Sequence, residues 1–210
     1  MGHPKLKRGL YAITDNHLSG SGKLLYAVEA ALQGGAVIVQ YRDKSDNPLK
    51  RFEEAKSLLT LCQRYQVPLI INDDVELASN IGADGVHIGR EDGSIQSARS
   101  VLGTDAIIGV SCYNQLELAI NAAAEGADYI AFGAFFSSTI KQQAARAQVN
   151  LLTEAKRLID RPVVAIGGIT PENGSTLVRA GADQLAVITA LFNNDHIKTQ
   201  AEHFTQIYNE

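Results

Sequence analysis

Short apolar runs rich in β-branched residues alternate along this chain with stretches whose apolar positions recur at helical spacing. The runs are LYAIT (10–14), AVIVQYR (36–42), PLIIN (68–72), GVHIG (85–89), AIIGVS (106–111), YIAFGAF (129–135), PVVAIGG (162–168) and QLAVIT (184–189). Each is short, bounded by turn residues and apolar at consecutive positions, which predicts a strand buried on both faces. Between them, KLLYAVEAALQGG (23–35), LKRFEEAKSLLTLCQRYQ (49–66), QLELAINAAAEG (115–126) and NGSTLVRAG (173–181) carry the spacing of amphipathic helices, and HIKTQAEHFTQIYNE closes the chain in the same way. Strands buried on both faces are parallel strands covered by helices.

A weak internal repeat agrees with that reading. Gly-Ala recurs just ahead of strands, in GGAVIV, IGADGVHI, EGADYIAF and AGADQLAV. Glycine ends a helix in the left-handed conformation without a Cβ penalty, so its place here suits a tight turn from helix to strand. Eight strands and eight helices in strict alternation, with no Pro/Ser-rich linker, predict one α/β domain over residues 1–210. No GxGxxG follows the first strand, which counts against an open dinucleotide-binding sheet and favours a closed (β/α)8 TIM barrel.

Composition narrows the partners. With 20% charged residues and a net charge of −4, broad electrostatic binding of nucleic acid is not expected, and an anionic ligand needs a local basic pocket. No run approaches the ~20 apolar residues of a membrane helix, and MGHPKLKRGLYAITD lacks the apolar core of a signal peptide. Cys62 and Cys112 have no metal-ligand spacing, read as buried or semi-buried free thiols, and suit a reducing cytoplasm. A homo-oligomer is left open.

In such a barrel, chemistry collects at the C-terminal ends of the strands. Those ends read Asp15; Gln40, Arg42 and Lys44; Asn72, Asp73 and Asp74; His87, Arg90, Glu91 and Asp92; Ser111; the loop SSTIKQQAAR with Ser138, Thr139 and Lys141; Gly167-Gly168; and Ile188-Thr189. The opposite ends carry mostly Gly, Ala, Pro and Val. Gly167-Gly168 before ITPEN reads either as a turn capped by Thr170 with Pro171 in the first helical turn, or as a phosphate seat of backbone N–H groups. Asp73 reads as the N-cap of the VELASNIG helix and Asp92 as a turn residue before GSIQSARS, or the two read together as a carboxylate pair suited to Mg2+, which binds through one or two carboxylates plus substrate phosphates. His87 alternates with Val86 and Ile88 and is expected to point into the barrel as a packed or hydrogen-bonded side chain. His196 and His203 belong to the last helix. No Ser-His-Asp arrangement surrounds Ser111 or Cys112, and no HxH or HExxH pattern is present.

LYAITD, QYRDK, INDDVELA, GADGVHIGRED, IGVSCYN, DYIAFGAFF, VVAIGGI and LAVITAL occur in an order and spacing that resembles the thiamine phosphate synthase family over nearly the whole length. VAIGGI alone recurs in several phosphate-binding barrels; QYRDK, IND and HIGRED in succession are far more specific. The resemblance implies a transferase that joins a hydroxymethylpyrimidine diphosphate to a thiazole phosphate, releasing pyrophosphate and giving thiamine phosphate. It implies that Gln40, Tyr41, Arg42, Asp43 and Lys44, with Asn72, Ser111 and Lys141, hold the pyrimidine and its diphosphate. It further implies one Mg2+ on Asp73 and Asp92, and a thiazole phosphate held by Ser138, Thr139, Ile140, Gly168, Ile188 and Thr189. Arg42, Lys44 and Lys141 then take the catalytic role of stabilising the leaving group. Where the family loop sets two hydroxyl residues around a variable one ahead of the lysine, this chain has Ile140 at the second place. The alternatives are the related thiazole tautomerase, whose catalytic histidine position is occupied here by Tyr113, and a non-catalytic phosphate-binding barrel.

Overall fold

A computed structural model describes residues 3–18, 22–137 and 146–209. Eight parallel strands close on themselves in sequence order: β1 (Gly9–Ile13), β2 (Ile38–Tyr41), β3 (Leu69–Asn72), β4 (Gly85–Ile88), β5 (Ile107–Tyr113), β6 (Tyr129–Gly133), β7 (Val163–Ile166) and β8 (Gln184–Val187). The last pairing, β8 on β1, sets Leu10 opposite Leu185 and completes the (β/α)8 TIM barrel. The outer ring comprises α1 (Lys23–Gln33), α2 (Pro48–Tyr65), α3 (Val75–Ile81), α4 (Ile95–Leu102), α5 (Leu116–Ala124), α6 (Asn150–Leu158), α7 (Pro171–Arg179), α8 (Thr189–Phe192) and α9 (Ile197–Gln206).

The described residues thus hold nine α-helices rather than the eight that strict alternation predicts. Both α8 and α9 follow β8. Asn193, Asn194 and Asp195 separate them, residue types that favour turns over helix interiors, and Asn194 Oδ1 accepts from the His196 amide at 2.8 Å. The chain then turns so that α9 lies on α1, where Thr205 Oγ1 donates to the Gly34 carbonyl at 2.9 Å.

Period-two alternation divides the strands into two cores. Tyr11, Ile13, Ile38, Ile70, Ile107, Tyr129, Ala131, Val164 and Ala186 fill the barrel interior, whereas Leu10, Val39, Ile71, Val86, Ile108, Phe132 and Leu185 face the helices. Gly109 is required inside: a Cβ there would overlap the Tyr129 ring.

The Gly-Ala repeat is a helix-terminating device. The amides of Ala36, Ala83, Ala127 and Ala182 donate to the carbonyls of Ala31, Ala78, Ala122 and Leu177, five residues back, while Gly35, Gly82, Gly126 and Gly181 all have positive φ. This is the Schellman turn. In three copies the next residue is Asp, and it joins two strands. Asp84, Asp128 and Asp183 each accept an amide at the start of the preceding strand, from Leu69, Ile108 and Val163, at 2.8–2.9 Å. Lys5, Arg99 and Lys156 hold the same three carboxylates from outside. These clasps lie at the end of the barrel opposite the polar rim.

Candidate active site

The interior alternation that places Ile38 inside also turns Gln40 inward, and the same rule brings Asn72, His87 and Ser111 to the inner wall near the strand ends. Gln40 is 3% exposed, a buried amide that must be hydrogen-bonded, and its Nε2 donates to Tyr11 Oη at 2.7 Å. His87 lies between two partners: Nδ1 is 2.9 Å from Tyr129 Oη and Nε2 is 2.8 Å from Ser111 Oγ. The reading of His87 as an inward, hydrogen-bonded side chain therefore holds. At Ser111 the register of β5 against β6 slips, so that Ser111 faces Ala131 while Tyr113 faces Phe132. The bulge sends Cys112 into the helix-facing core and leaves Tyr113 at the rim with φ 55°. There the Arg90 guanidinium lies 5.4 Å from the centre of the Tyr113 ring.

Charges converge where β2, β3 and β4 end. Lys44 Nζ and Asn72 Nδ2 both donate to Asp73 Oδ2, each at 2.6 Å. Asp73 itself has φ 63°, a left-handed conformation that a short polar side chain tolerates. The helix-capping role falls one residue later: Asp74 accepts from the Leu77 amide at 2.8 Å, which leaves Asp73 to the mouth. Asp92 accepts the Gly89 amide at 2.8 Å, and Ser94 caps α4.

The two carboxylates sense each other. Burial pushes Asp73 up, but the Lys44 ammonium and a hydrogen bond with Asp92 outweigh it and hold the group below its ordinary value. Asp92 moves the other way: burial and the nearby Asp73 charge raise it in spite of the Gly89 amide and Lys44. Two neighbouring oxygen donors pushed apart in this way are a place where a hard divalent cation relieves repulsion. No cluster of three His, Cys, Asp or Glu occurs among the described residues, so further ligands would come from phosphate or water.

Arg42 follows β2, with its amide on Thr14 Oγ1 at 2.9 Å. No carboxylate among the described residues pairs with its guanidinium. Two residues of the same segment turn their side chains to other partners. Tyr41 points to the helix side, because its neighbour Gln40 points inward; it is 2% exposed and its phenol donates to Glu54 Oε2 at 2.8 Å. The Asp43 carboxylate is enclosed by the Ser45 amide and Lys50 Nζ, with its side chain 2% exposed. Both side chains are buried and already hydrogen-bonded.

On the far side of the rim, β7 and β8 are neighbours, with Ile166 opposite Ala186. Gly168 has φ 63°, and a Cβ there would collide with the backbone of Phe136 and Ser137, so the chain at this corner approaches itself closely. Asn173 Nδ2 donates to the Gly168 carbonyl at 3.1 Å and its Oδ1 accepts the Thr170 amide at 2.9 Å. Both readings of this corner are therefore compatible: Thr170 and Pro171 open α7 beside the glycine turn. Ile188 and Thr189 open α8, where the first N–H groups of a helix have no intrahelical acceptor. Ser138, Thr139, Ile140 and Lys141 lie outside the described residues. Tyr11 and Tyr129, which read in sequence only as apolar strand residues, are the polar side chains that sequence analysis missed.

A family model described as thiamine monophosphate synthase matches residues 10–191. This chain belongs to that family. It is 53% identical over 199 residues to a thiamine-phosphate synthase of Nitrosococcus oceani, covering 95% of this chain and 92% of that protein. A thiamine-phosphate synthase of Saccharophagus degradans is 51% identical over 200 residues, again with 95% and 92% covered. The solved structure of a thiamine phosphate pyrophosphorylase from Pyrococcus furiosus superimposes with a TM-score of 0.86 at 33% identity, covering 99% of this chain and 97% of that one. For a thiamine monophosphate synthase family member, the cluster of Lys44, Asn72, Asp73 and Asp92 is the charged end of the barrel mouth, and Gln40, His87 and Ser111 form its inner floor.

Proposed function

We infer that this protein is a thiamine-phosphate synthase, which joins a hydroxymethylpyrimidine diphosphate to a thiazole phosphate with loss of pyrophosphate. The observation that carries the reading is the convergence of Lys44, Asn72, Asp73 and Asp92 at one rim in a chain 53% identical to a thiamine-phosphate synthase.

The reaction breaks a C–O bond, leaving a pyrimidine methylene cation and a multiply charged leaving group. Arg42 and Lys44 stabilise the negative charge that develops as pyrophosphate departs, a preorganised electrostatic role. Lys141 shares that role by likeness to the family. Asp73 and Asp92 would hold Mg2+, which when bound supplies further charge neutralisation. Gln40, Asn72 and Ser111 orient the pyrimidine diphosphate, and the Gly168, Ile188 and Thr189 backbone holds the thiazole phosphate, a role that Ser138, Thr139 and Ile140 share by likeness to the family. Holding both substrates at one rim supplies the orientation for the thiazole nitrogen to capture the cation. No protein nucleophile is required. Tyr113, a phenol at the position where the tautomerase has its histidine, speaks against the isomerase reading.

The test is pyrophosphate release from purified protein given both substrates, with and without Mg2+, together with detection of thiamine phosphate. Release that needs both substrates and the metal supports the reading; no release, with thiazole phosphate still bound, replaces it with the phosphate-binding barrel. Free, buried Cys62 and Cys112, whose thiols burial pushes up to about 12, suit a reducing cytoplasm. No helix among the described residues is long and apolar enough to cross a membrane.

A further inference from the structure

Below the mouth, five side chains from five strands form one continuous hydrogen-bond chain. Gln40 Nε2 donates to Tyr11 Oη at 2.7 Å, Tyr11 Oη lies 2.8 Å from Tyr129 Oη, Tyr129 Oη lies 2.9 Å from His87 Nδ1, and His87 Nε2 lies 2.8 Å from Ser111 Oγ. Tyr11 and Tyr129 are 1% and 0% exposed, so water does not interrupt the links. Their rings meet edge to face at 5.9 Å, and His87 stacks on Tyr129 at 5.6 Å.

The chain has a sense. An amide nitrogen only donates and each phenol has one hydrogen to give. Tyr11 Oη accepts from Gln40, and its own hydrogen, buried away from water, has only Tyr129 Oη within reach as an acceptor, so satisfying it sends that hydrogen to Tyr129. Tyr129 Oη has then accepted, and its hydrogen goes to His87 Nδ1. That nitrogen must present a lone pair, which places the proton of the neutral ring on Nε2, donating to Ser111 Oγ. Ser111 keeps its own hydrogen for whatever lies beyond, and Gln40 keeps Oε1 and its second Nε2 hydrogen. Rotating the Gln40 amide by half a turn would require every link to reverse, leaving Ser111 to present a lone pair instead.

We propose that Tyr11, Tyr129 and His87 are positioning residues that lock Gln40 with its carbonyl free and Ser111 as a donor, so that the site selects an amino-substituted pyrimidine over its oxo analogue. The proposal rests on the placement of the pyrimidine against Gln40. An exocyclic amino group donates to Oε1 and the adjacent ring nitrogen accepts from Nε2. An oxo analogue presents an acceptor and a ring N–H in those places and fits only if the whole chain reverses. A site built to hydrogen-bond one pattern rejects the other because its buried groups are left unpaired.

The test begins with 15N NMR of the histidines in the full-length protein without substrate. The His87 ring is expected as the Nε2–H tautomer, with Nδ1 an unprotonated nitrogen. In Tyr129→Phe the donor to Nδ1 is gone and the preference is lost. In Tyr11→Phe the tautomer persists, because Tyr129 still donates, but Gln40 is no longer pinned. Both variants should reduce the preference for the amino- over the oxo-pyrimidine diphosphate by about tenfold, through KM rather than kcat. A merely structural role would lower activity on both substrates alike. An Nδ1–H tautomer in the unmodified protein, or unchanged preference in a folded Tyr11→Phe, overturns the proposal. If the protein releases no pyrophosphate from either substrate while the tautomer is as stated, the synthase reading fails and the directed chain stands.

Discussion

Lys44 Nζ donates to Asp73 Oδ2 at 2.6 Å, which sets the cation expected to meet a diphosphate on the carboxylate expected to meet a metal. An ammonium proposed to stabilise the leaving group would therefore compete with a Mg2+ bound at Asp73. Lys44→Ala should act with opposite signs on the two ligands. Mg2+ alone should bind more tightly, and the pyrimidine diphosphate should bind at least about tenfold more weakly, in keeping with one lost charge-assisted hydrogen bond. Calorimetric titration of each ligand separately checks both signs. If both weaken, Lys44 shapes the pocket rather than competing in it.

Asp92 should matter most when metal is scarce. Its carboxyl is raised by burial and by the charge of Asp73. Asp92→Asn removes one hard oxygen anion from the pair while preserving shape, so the Mg2+ concentration for half-maximal turnover should rise about tenfold or more. Pyrophosphate release across an Mg2+ series reads this directly. An unchanged curve would remove Asp92 from the metal site.

Asp43, by contrast, should behave as a structural clasp. Burial raises its carboxyl, but the hydrogen bonds from Lys50 and Ser45 bring it down to about 2, from the 3.8 of a free aspartate. A depressed carboxylate contributes stability that is present above its unfolded value and is lost as pH falls through the folded value. The stability difference between the natural protein and Asp43→Asn should therefore be constant, on the order of 1–2 kcal/mol, above about pH 5 and should shrink toward pH 2. Diphosphate affinity should change little. Urea unfolding as a function of pH measures the first, and a KM comparison the second.

Tyr41 and Asp43 also show what a contiguous motif leaves out. Once Gln40 is inward, period two turns Tyr41 outward, and that step was available without a structure. A motif quoted as a block hides it, because a contiguous QYRDK contains two inner-face positions and an outer one. Asp43 was less legible: its partner Lys50 belongs to α2, and only the loop geometry brings the two together. The barrel itself followed from buried strands alternating with amphipathic helices, and the rim from the charges that gather at the strand ends. The Tyr11–Tyr129 link was out of reach, since the two residues lie 118 positions apart and meet only when the barrel closes. Within apolar runs each tyrosine reads as core. The Asp that follows three of the Gly-Ala pairs was visible as a repeat, but its role as an acceptor for the neighbouring strand depends on the parallel register.

That repeat yields a prediction remote from the mouth. Asp128 accepts the Ile108 amide at 2.8 Å and the Arg99 guanidinium at 2.8 Å, at the end of β5 where the strand begins. Asp128→Ala leaves a buried strand amide without its acceptor, and such a loss costs about 1–3 kcal/mol. Arg99 is less affected, because it also donates to the carbonyls of Thr104, Ala106 and Gly126. Asp128→Asn keeps an acceptor oxygen for Ile108 while removing the ion pair, and Arg99 retains its carbonyl acceptors. The Ala variant should therefore lose about 1–3 kcal/mol and the Asn variant only a small part of that, with KM for both substrates unchanged in each. Urea denaturation of both variants, followed by steady-state kinetics under conditions where each is folded, separates the terms. Equal destabilisation of Ala and Asn would assign the clasp to charge rather than to the strand amide, and a shifted KM would mean that this end of the barrel communicates with the rim.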